Sequence, residues 1–243
     1  MSASNIDQAR KLLIGDGITP LKLEYFAIEG VAEQVRIALA VAEVPFDDVR
    51  IGFSDWAVKK PTTKYGQLPE MILPNGDVIT ESMAMLRLAG EADPEGKLYP
   101  SDMATRVKVE GVLGLVGDLS RAWRPALYIG MRPEAFGYPT SAEWDKEVKD
   151  ATIKKVREAF LSNELPRYMG CFTDLLKESG GKFLLGDDLT IADIAAYQQI
   201  LYFKKGIADY VPKECMDPFK EINDWMERVI SIPKIAAYKA KAK

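Results

Sequence analysis

The tetrapeptide Pro74-Asn75-Gly76-Asp77 constrains the fold more than any other feature, because it separates two short β-favouring runs, residues 71–73 and 78–80. Asn and Gly both tolerate the positive φ angles that a two-residue hairpin turn requires. The sequence therefore predicts a β-hairpin here, with one antiparallel strand on each side of the turn.

Polar groups flank both ends of this hairpin. Pro69 restricts Leu68 to extended conformations, so we expect the backbone groups of Leu68 to be free to pair with an extended ligand. Ser82 begins an apolar run of helix-forming residues, and a helix N-terminus attracts a carboxylate. The stretch is therefore interpreted as an edge that could bind a short peptide, although a plain hairpin before a capped helix explains the same residues.

The residues ahead of the hairpin predict a βαβ unit. Residues 21–26 and 46–51 have the pattern of strands, and residues 32–42 have that of an amphipathic helix closed by Pro45. A right-handed crossover makes these two strands parallel, and the hairpin then completes a four-stranded mixed sheet of thioredoxin-like topology. Residues 52–65 are expected to form an irregular or weakly helical connection.

Residues 93–102 are dense in Pro, Gly and charge and predict a linker. Beyond them the β signals end, and helical patterns cover residues 103–128, 142–178 with a kink or break at Pro166, 190–203 and 216–230. Thr190 and Asp193 fit a capping box at the start of one of these helices. The predicted fold class is α/β plus all-α: an N-terminal extension (1–19) with room for a short helix, a thioredoxin-like βαβ-ββα domain (20–92), a linker (93–102) and an all-helical bundle (103–243).

Composition excludes several classes of chemistry. The 243 residues include no histidine, which removes Ser-His and Cys-His nucleophile pairs and histidine metal sites. Cys171 and Cys215 have no ligand or disulfide spacing, so we expect no metal and a reducing compartment. A net charge of −4 argues against nucleic acid as a partner. No apolar run approaches a membrane span or a signal-peptide core, which predicts a cytoplasmic protein without a membrane partner.

The order and spacing of several short motifs resemble those of the cytosolic glutathione transferases, in particular the sigma-like, tyrosine-type group. The resemblance covers about residues 21–238 and implies a detoxification enzyme that forms a homodimer, with glutathione as co-substrate and a small hydrophobic electrophile as second substrate. The motifs are Tyr25-Phe26 with Gly30 and Ala32-Glu33, Trp56, residues 65–69, Glu81-Ser82, residues 185–193 and residues 232–238.

The resemblance implies a role for Tyr25 as the catalytic residue. Its hydroxyl would donate a hydrogen bond to the glutathione sulfur and so favour the thiolate, which is the nucleophile. A buried strand tyrosine is the structural alternative.

The resemblance also implies the glutathione contacts. Leu68, ahead of a cis Pro69, would pair with the cysteinyl unit, and Gln67, Glu81 and Ser82 would hold the γ-glutamyl end. Trp56 and Lys60 would hold the glycyl carboxylate, with Lys59 as the alternative if the register differs by one.

Two implied roles concern a partner subunit. Asp118 would reach the γ-glutamyl amine bound by the other subunit, although a solvated helix carboxylate explains the same residue. Tyr65 matches an aromatic that in some relatives inserts into the partner's bundle. The second-substrate pocket would be shaped by Ile28, Trp123, Arg124 and Tyr128, together with the segment 128–150.

Two departures from the family pattern qualify these implications. Arginines commonly flank the glycine of the first loop, but here Glu29 and Val31 flank Gly30, so we expect weaker sulfur activation unless Arg36 or a lysine substitutes. Gly114 and Gly117 stand where relatives often carry acidic residues, so a metal bridging the dimer is not expected. The spacing of Gly111, Gly114 and Gly117 would suit close helix approach at an interface.

Three functions are compatible with this pattern. The first is a glutathione-conjugating transferase, and the second is a glutathione-dependent isomerase similar to the sigma-class prostaglandin D synthases. The third is a non-catalytic, crystallin-like binding protein on the same scaffold, which the Glu29 and Val31 replacements favour. The sequence does not name the second substrate.

Overall fold

A four-stranded mixed sheet forms the N-terminal half of the protein, whose computed structural model describes residues 4–241. The strands are β1 (Leu21–Phe26), β2 (Phe46–Ile51), β3 (Glu70–Ile72) and β4 (Val78–Thr80), in the order β2-β1-β3-β4. Strand β1 is parallel to β2 and antiparallel to β3, and β3 is antiparallel to β4. The predicted thioredoxin-like sheet is therefore confirmed, with β3 beginning one residue earlier than expected.

Alternation along β1 decides which side chains face the core. Leu21, Leu23 and Tyr25 are buried, whereas Lys22 is exposed, because successive side chains of a strand point to opposite faces. Tyr25 therefore enters the interior at the carboxyl end of the strand.

Helices cover this sheet and connect its strands. Helix α1 (Asn5–Ile14) precedes β1, and α2 (Glu33–Val41) crosses from β1 to β2 after a 3₁₀ turn over Gly30–Ala32. The short helix α3 (Trp56–Lys59) lies in the connection to β3, and α4 (Ser82–Glu91) follows β4. Helices α2 and α1 both pack against α4.

Helix α1 is part of the packed domain. Ser4 and Asp7 form a capping box at its start, and Leu13 is fully buried. The Arg10 guanidinium donates hydrogen bonds of 2.9 Å to the carbonyl oxygens of both Ala42 and Ala92, which end helices α2 and α4. Because the last carbonyls of a helix have no partner inside it, one arginine satisfies two helix ends.

The second half of the chain is a helical bundle. It contains α5 (Met103–Tyr128), α6 (Lys146–Ala159), α7 (Leu165–Ser179), α8 (Ile191–Lys205), α9 (Lys220–Ile230) and α10 (Pro233–Lys241). Helix α8 is almost entirely buried and packs against α5, α9, α2 and α4, so it joins the bundle to the sheet domain. Helix α10 was not predicted, although Pro233 at its first position is a typical helix start.

The region around Pro166 differs from the prediction. No break occurs, because residues Phe160–Glu164 form a π-helical turn that joins α6 to α7 without a gap in the helical backbone. Pro166 itself occupies the first turn of α7, where its missing N–H costs no helical hydrogen bond. The proline is therefore accommodated by a π-helical turn directly before it, inside a continuous helical stretch.

The predicted capping box at α8 is confirmed. The Asp193 carboxylate accepts hydrogen bonds of 3.0 Å from both the N–H and the hydroxyl of Thr190, and one of 3.0 Å from the Trp225 indole. Asp193 also accepts from the N–H of Leu184 at 2.8 Å. A fully buried carboxylate thus fixes the start of α8 to the segment before it and to α9.

Within residues 4–241, no helix combines the length and the apolar character that a membrane crossing requires.

Candidate functional site

A groove of about 200 Å³ opens beside the hairpin. Its walls come from the loop before β3, the end of β4, the start of α4 and the loop after β1. The lining residues are Val31, Tyr65, Gln67, Leu68, Pro69, Thr80, Glu81 and Ser82. The structure therefore brings the predicted residues 67–69 and 81–82 together around one cavity.

The backbone on both sides of this groove is shaped for pairing with a ligand. The Leu68–Pro69 peptide bond is cis, as the resemblance implied. Within residues 4–241, Leu68 bonds to no other backbone group. Across the groove, Glu81 adopts a φ of 69°, which is uncommon for a residue other than glycine and is typical of functional sites. It turns the chain so that α4 begins at Ser82 with its first N–H groups directed away from the helix.

A buried glutamine supports Ser82. The Gln34 amide is 6% exposed, and its Nε2 atom donates a hydrogen bond of 3.4 Å to the Ser82 hydroxyl. The hydroxyl keeps its own proton available, since a Ser oxygen can accept and donate at the same time. Gln34 was not identified from the sequence.

Tyr25 lies against the loop that follows β1 and is 8% exposed. A Cβ atom built at Gly30 would lie 2.6 Å from the phenolic oxygen, so the loop passes immediately beside the hydroxyl. Burial raises the pKa of Tyr25 above its ordinary value, whereas a hydrogen bond from the Val31 N–H and the charge of Arg36 lower it. Burial prevails, so the phenol remains protonated and can act as a hydrogen-bond donor.

Arg36 is the cation that lies beneath Tyr25. Its guanidinium is fully buried and lies 5.8 Å from the centroid of the tyrosine ring. It is paired with Asp48 at 2.9 Å and with Glu33 at 3.2 Å. Arg36 therefore places a buried cation, itself paired with two carboxylates, against the ring of Tyr25.

The Glu29 carboxylate is neutralised by two lysines from the helical half. Lys205 of α8 lies 2.5 Å from it, and Lys239 of α10 lies 3.1 Å from it and 2.6 Å from the buried Glu33. Burial raises the pKa of Glu29, but hydrogen bonds and charges from Lys205 and Lys239 outweigh it and lower the pKa. The extra negative charge that the sequence predicted on this loop is therefore compensated.

The two lysines after Trp56 have different surroundings. Lys59 is paired with Glu24 at 2.5 Å. Lys60 is exposed, and its Cε atom lies 3.4 Å from where a Cβ would stand at Gly66, next to the groove. Trp56 packs edge-on against Phe26, with ring centroids 5.2 Å apart. Lys60 is thus the better placed of the two lysines, and neither it nor Trp56 lines the groove wall directly.

Asp118 lies outside the groove of its own chain. It is an exposed residue of α5 and forms an ion pair with Arg121. On the same helix, Gly111 and Gly114 are exposed, and a Cβ at either would meet nothing within 4 Å. No cluster of three or more potential metal-ligating side chains occurs in the described part of the chain.

The four residues expected to shape a second-substrate pocket do not share one environment. Trp123 is 2% exposed and packs against Phe160 and Phe203, so it belongs to the core of the bundle and not to an open wall. Arg124 is exposed beside Tyr128, whereas Tyr128 is close enough to Tyr25 to affect its pKa electrostatically. Ile28 is 43% exposed on the loop after β1. Ile28 and Tyr128 therefore lie on the side of Tyr25, whereas Trp123 does not line an open pocket.

A second cavity, of about 290 Å³, lies between α5 and the π-helical turn and shares no lining residue with the groove. Its walls are mainly apolar. They consist of Ala122, Pro125, Ala126, Val156, Ala159, Phe160, Asn163 and Glu164.

Comparison with known proteins gives consistent matches over both halves of the chain. A family model described as "Glutathione S-transferase, N-terminal domain" matches residues 21–88, and one described as "Glutathione S-transferase, C-terminal domain" matches residues 140–242. Among curated proteins, "Glutathione S-transferase 4" of Caenorhabditis elegans is 28% identical, covering 91% of this chain and 96% of the relative. "Probable glutathione S-transferase 7" of the same organism is 31% identical, covering 85% of this chain and 95% of the relative. The solved structure of prostaglandin synthase D of Nilaparvata lugens superposes with a TM-score of 0.74 at 25% identity, covering 91% of this chain and 98% of that one.

Proposed function

Because this chain belongs to the glutathione S-transferase family, we propose that it binds glutathione in the groove beside Pro69 and that Tyr25 holds the glutathione sulfur as a thiolate for attack on an apolar electrophile. Transferase activity with glutathione as co-substrate follows from the family. The assignment of individual residues is our proposal.

The observation that carries this proposal is the double role of Val31. Val31 lines the groove, and its backbone N–H lies close enough to the phenolic oxygen of Tyr25 to lower the pKa of the phenol. The hydroxyl therefore lies one residue away from the cavity that would hold the peptide. A sulfur placed at that end of the groove would lie within reach of the tyrosine donor.

The groove offers a pairing mode for each part of the tripeptide. The unpaired backbone of Leu68 suits the cysteinyl unit, which would add as a short strand. The N–H groups at the start of α4, with Gln67 and the Ser82 hydroxyl, suit the γ-glutamyl carboxylate, while Glu81 suits its ammonium group. Lys60 and Trp56 would hold the glycyl carboxylate at the far end.

The chemistry follows from the protonation state of Tyr25. A phenol with a raised pKa stays neutral and donates its proton in a hydrogen bond to the sulfur. A donor directed at an anion stabilises the anion and lowers the pKa of the thiol. The thiol proton leaves to solvent, and the thiolate then attacks the electrophile.

The surroundings of Tyr25 favour an apolar second substrate. Ile28 and Val31 expose 43% and 45% of their surface on the loop beside the hydroxyl, and Val31 stands where the resemblance implies an arginine. Tyr128 adds an aromatic ring to the same region. An electrophile without charge would therefore meet mainly hydrophobic side chains next to the sulfur.

A second candidate is a glutathione-dependent isomerase. The similarity to the solved prostaglandin synthase D of Nilaparvata lugens favours it. The same thiolate would serve both reactions, so only the product distinguishes them.

We also propose a homodimer and a cytoplasmic location. Helix α5 exposes Met103 and Val107 at 70% and 61%, in line with Gly111, Gly114 and Asp118, and Tyr65 is 61% exposed. A second copy covering this face would explain the exposed apolar side chains. The unpaired Cys171 and Cys215 are suited to a reducing compartment.

The proposal is tested by retention on immobilised glutathione and by conjugation of a generic aryl halide. We expect wild-type protein to bind and conjugate, and Tyr25→Phe to bind but conjugate about 10²-fold more slowly, the scale of a lost proton donor. Tyr210→Phe, at an exposed tyrosine bonded to Asp150, is the matched control. Binding with isomerisation and no conjugation would favour the second candidate, and the absence of binding would exclude both.

A further inference from the structure

We propose that Gln198, on helix α8 of the helical half, is a positioning residue for Tyr25 and acts through the peptide group that joins Gly30 to Val31. The inference rests on the proposed role of Tyr25 and adds a residue from the other half of the chain. Gln198 belongs to none of the motifs from which the site was predicted.

Two contacts link Gln198 to Tyr25. The first joins α8 to the loop after β1. The Nε2 atom of Gln198 donates a hydrogen bond of 3.2 Å to the carbonyl oxygen of Gly30. The orientation of the amide is determined by its partner, since a carbonyl can only accept and only the NH₂ end of a glutamine can donate. The same carbonyl accepts from the N–H of Glu33, which leaves its second lone pair to Gln198.

The second contact is made by the N–H at the opposite end of the Gly30–Val31 peptide group. In a trans peptide the C=O and N–H bonds point in opposite directions, so the N–H of Val31 points away from Gln198. That N–H lies in the first turn of the 3₁₀ segment, where it has no acceptor inside the helix. The close packing of Gly30 against the phenolic oxygen of Tyr25 brings this peptide group beside the hydroxyl, and the Val31 N–H lowers the pKa of the phenol.

The two hydrogen bonds reinforce each other. A donor on the carbonyl polarises the peptide and makes its N–H a stronger donor, the usual cooperativity of hydrogen-bonded chains. A stronger donor to the Tyr25 oxygen makes the phenol a better donor in turn. The amide of Gln198 therefore acts on the sulfur through the Gly30–Val31 peptide and the tyrosine, without touching either substrate.

Gln198 bonds a carbonyl of this loop that, within residues 4–241, no side chain of the sheet domain bonds. Arg36 and Arg50 bind the carbonyl of Ile28, and Arg36 also binds that of Glu29. Of the three consecutive carbonyls, only that of Gly30 accepts from a side chain of the bundle. A displacement of α8 would therefore reach Tyr25 through this peptide.

The Oε1 end of the Gln198 amide also indicates that this residue has a functional role. Its Oε1 atom is buried and has no hydrogen-bond partner within the described residues. An unsatisfied buried acceptor destabilises a fold, and a residue kept in spite of that cost is typical of a functional site. An apolar side chain of similar length would avoid the cost but would lose the bond to Gly30.

Gln198→Met and Gln198→Glu test the proposal. Methionine keeps the length and removes the donor, and glutamate keeps the shape and places an acceptor against the carbonyl. The matched control is Gln199→Met, one residue along α8, whose side chain makes no hydrogen bond within residues 4–241. Each variant is measured for the pH dependence of kcat/KM, for the KM of glutathione, and for the titration of Tyr25 followed by NMR in the free protein.

We expect Gln198→Met to raise the apparent pKa of the bound thiol by about half a unit to one unit, which lowers kcat/KM about three- to tenfold below that pKa. The titration of Tyr25 should move upward as well, and Gln198→Glu should shift both further. The KM of glutathione and all values for Gln199→Met should stay close to wild type.

A purely structural role for Gln198 predicts a lower melting temperature with an unchanged pH profile, and that result would overturn the proposal. If wild-type protein neither bound nor conjugated glutathione, the proposed function would fail. The titration of Tyr25 in the free protein would still decide the role of Gln198: an unchanged midpoint in Gln198→Met would exclude it.

Discussion

Gly30 is packed so closely against Tyr25 that a methyl group on its α-carbon would lie 2.6 Å from the phenolic oxygen. Its φ of +45° is also a conformation that side-chain-bearing residues rarely adopt. The position therefore requires glycine for two reasons, and both concern the placement of the tyrosine hydroxyl.

Gly30→Ala should displace the hydroxyl and lower the rate of conjugation by about one to two orders of magnitude, because small displacements of a positioned group are costly for catalysis. Its KM for glutathione should change less, since Gly30 does not line the groove. The control is Gly170→Ala on an exposed face of α7, where a Cβ would meet nothing within 4 Å. That substitution should stabilise the fold by about 0.5–1 kcal/mol in urea unfolding. Equal activity of the two variants would contradict the close contact between Gly30 and Tyr25.

Lys60→Ala should raise the KM of glutathione about threefold to tenfold with little change in kcat, because it removes a cation at the proposed glycyl end and none near the sulfur. Lys59→Ala is the matched control, since Lys59 is already paired with Glu24 at 2.5 Å. Steady-state kinetics with varied glutathione separates the two variants. A larger effect at Lys59 would move the assignment by one residue.

Glu29→Gln tests the ion pairs that join the first loop to α8 and α10. The pKa of Glu29 is raised by burial but lowered overall by Lys205 and Lys239, below its ordinary value of 4.5. A lowered pKa means that the folded state favours the charged form, so this stabilisation is present above pH 4.5 and is lost as the pH falls through the folded-state pKa.

The variant should therefore lose about 0.5–1 kcal/mol at neutral pH, the scale of a partly exposed pair. The difference from wild type should vanish in acid. Urea unfolding at several pH values measures it, with Glu95→Gln as the control at an exposed pair with Lys97. A difference that persists unchanged in acid would show that the charges of Glu29 and its lysines are not its cause.

Arg10→Ala should destabilise the protein by about 1.5–3 kcal/mol, because it leaves the carbonyls of Ala42 and Ala92 without their charged donor. Lys11→Ala, one residue along α1 and exposed, should change stability by less than about 0.5 kcal/mol. Equal stabilities of the two variants would mean that α1 adds little to the domain.

Val107→Asp should separate the proposed dimer into monomers, since it places a charge on the exposed apolar face of α5. Val148→Asp, on the exposed face of α6, is the control and should leave the assembly intact. Sedimentation velocity of both variants and of the wild type measures the effect. A wild-type monomer at micromolar concentration would contradict the dimer.

The sheet was the most predictable part of this structure, because its signals are local. Asn75-Gly76 specifies a turn on its own, and the alternation in residues 21–26 specifies both the strand and the inward direction of Tyr25. The groove residues could be predicted as well, because Leu68, Pro69 and Ser82 lie within a few residues of the hairpin. Here sequence neighbours are also neighbours in space.

The contacts between the helical half and the loop after β1 could not be predicted in the same way. Gln198 meets Gly30 across 168 positions of sequence, and Lys239 meets Glu29 across 210. No periodicity or motif encodes such pairs, which arise only when α8 and α10 pack against the sheet domain. Trp123 shows the converse: its place on α5 suggested a pocket wall, but tertiary packing buries it in the bundle.

The two hydrogen bonds of Arg10 also bear on the order in which the chain can fold during synthesis. Its partners lie 32 and 82 residues further along, so helix α1 leaves the ribosome well before Ala92 does. Until Ala92 has emerged, Arg10 lacks one of its two acceptors, and an isolated helix of ten residues is marginal in water. Helix α1 therefore gains its full set of contacts only when the end of its domain has been synthesised.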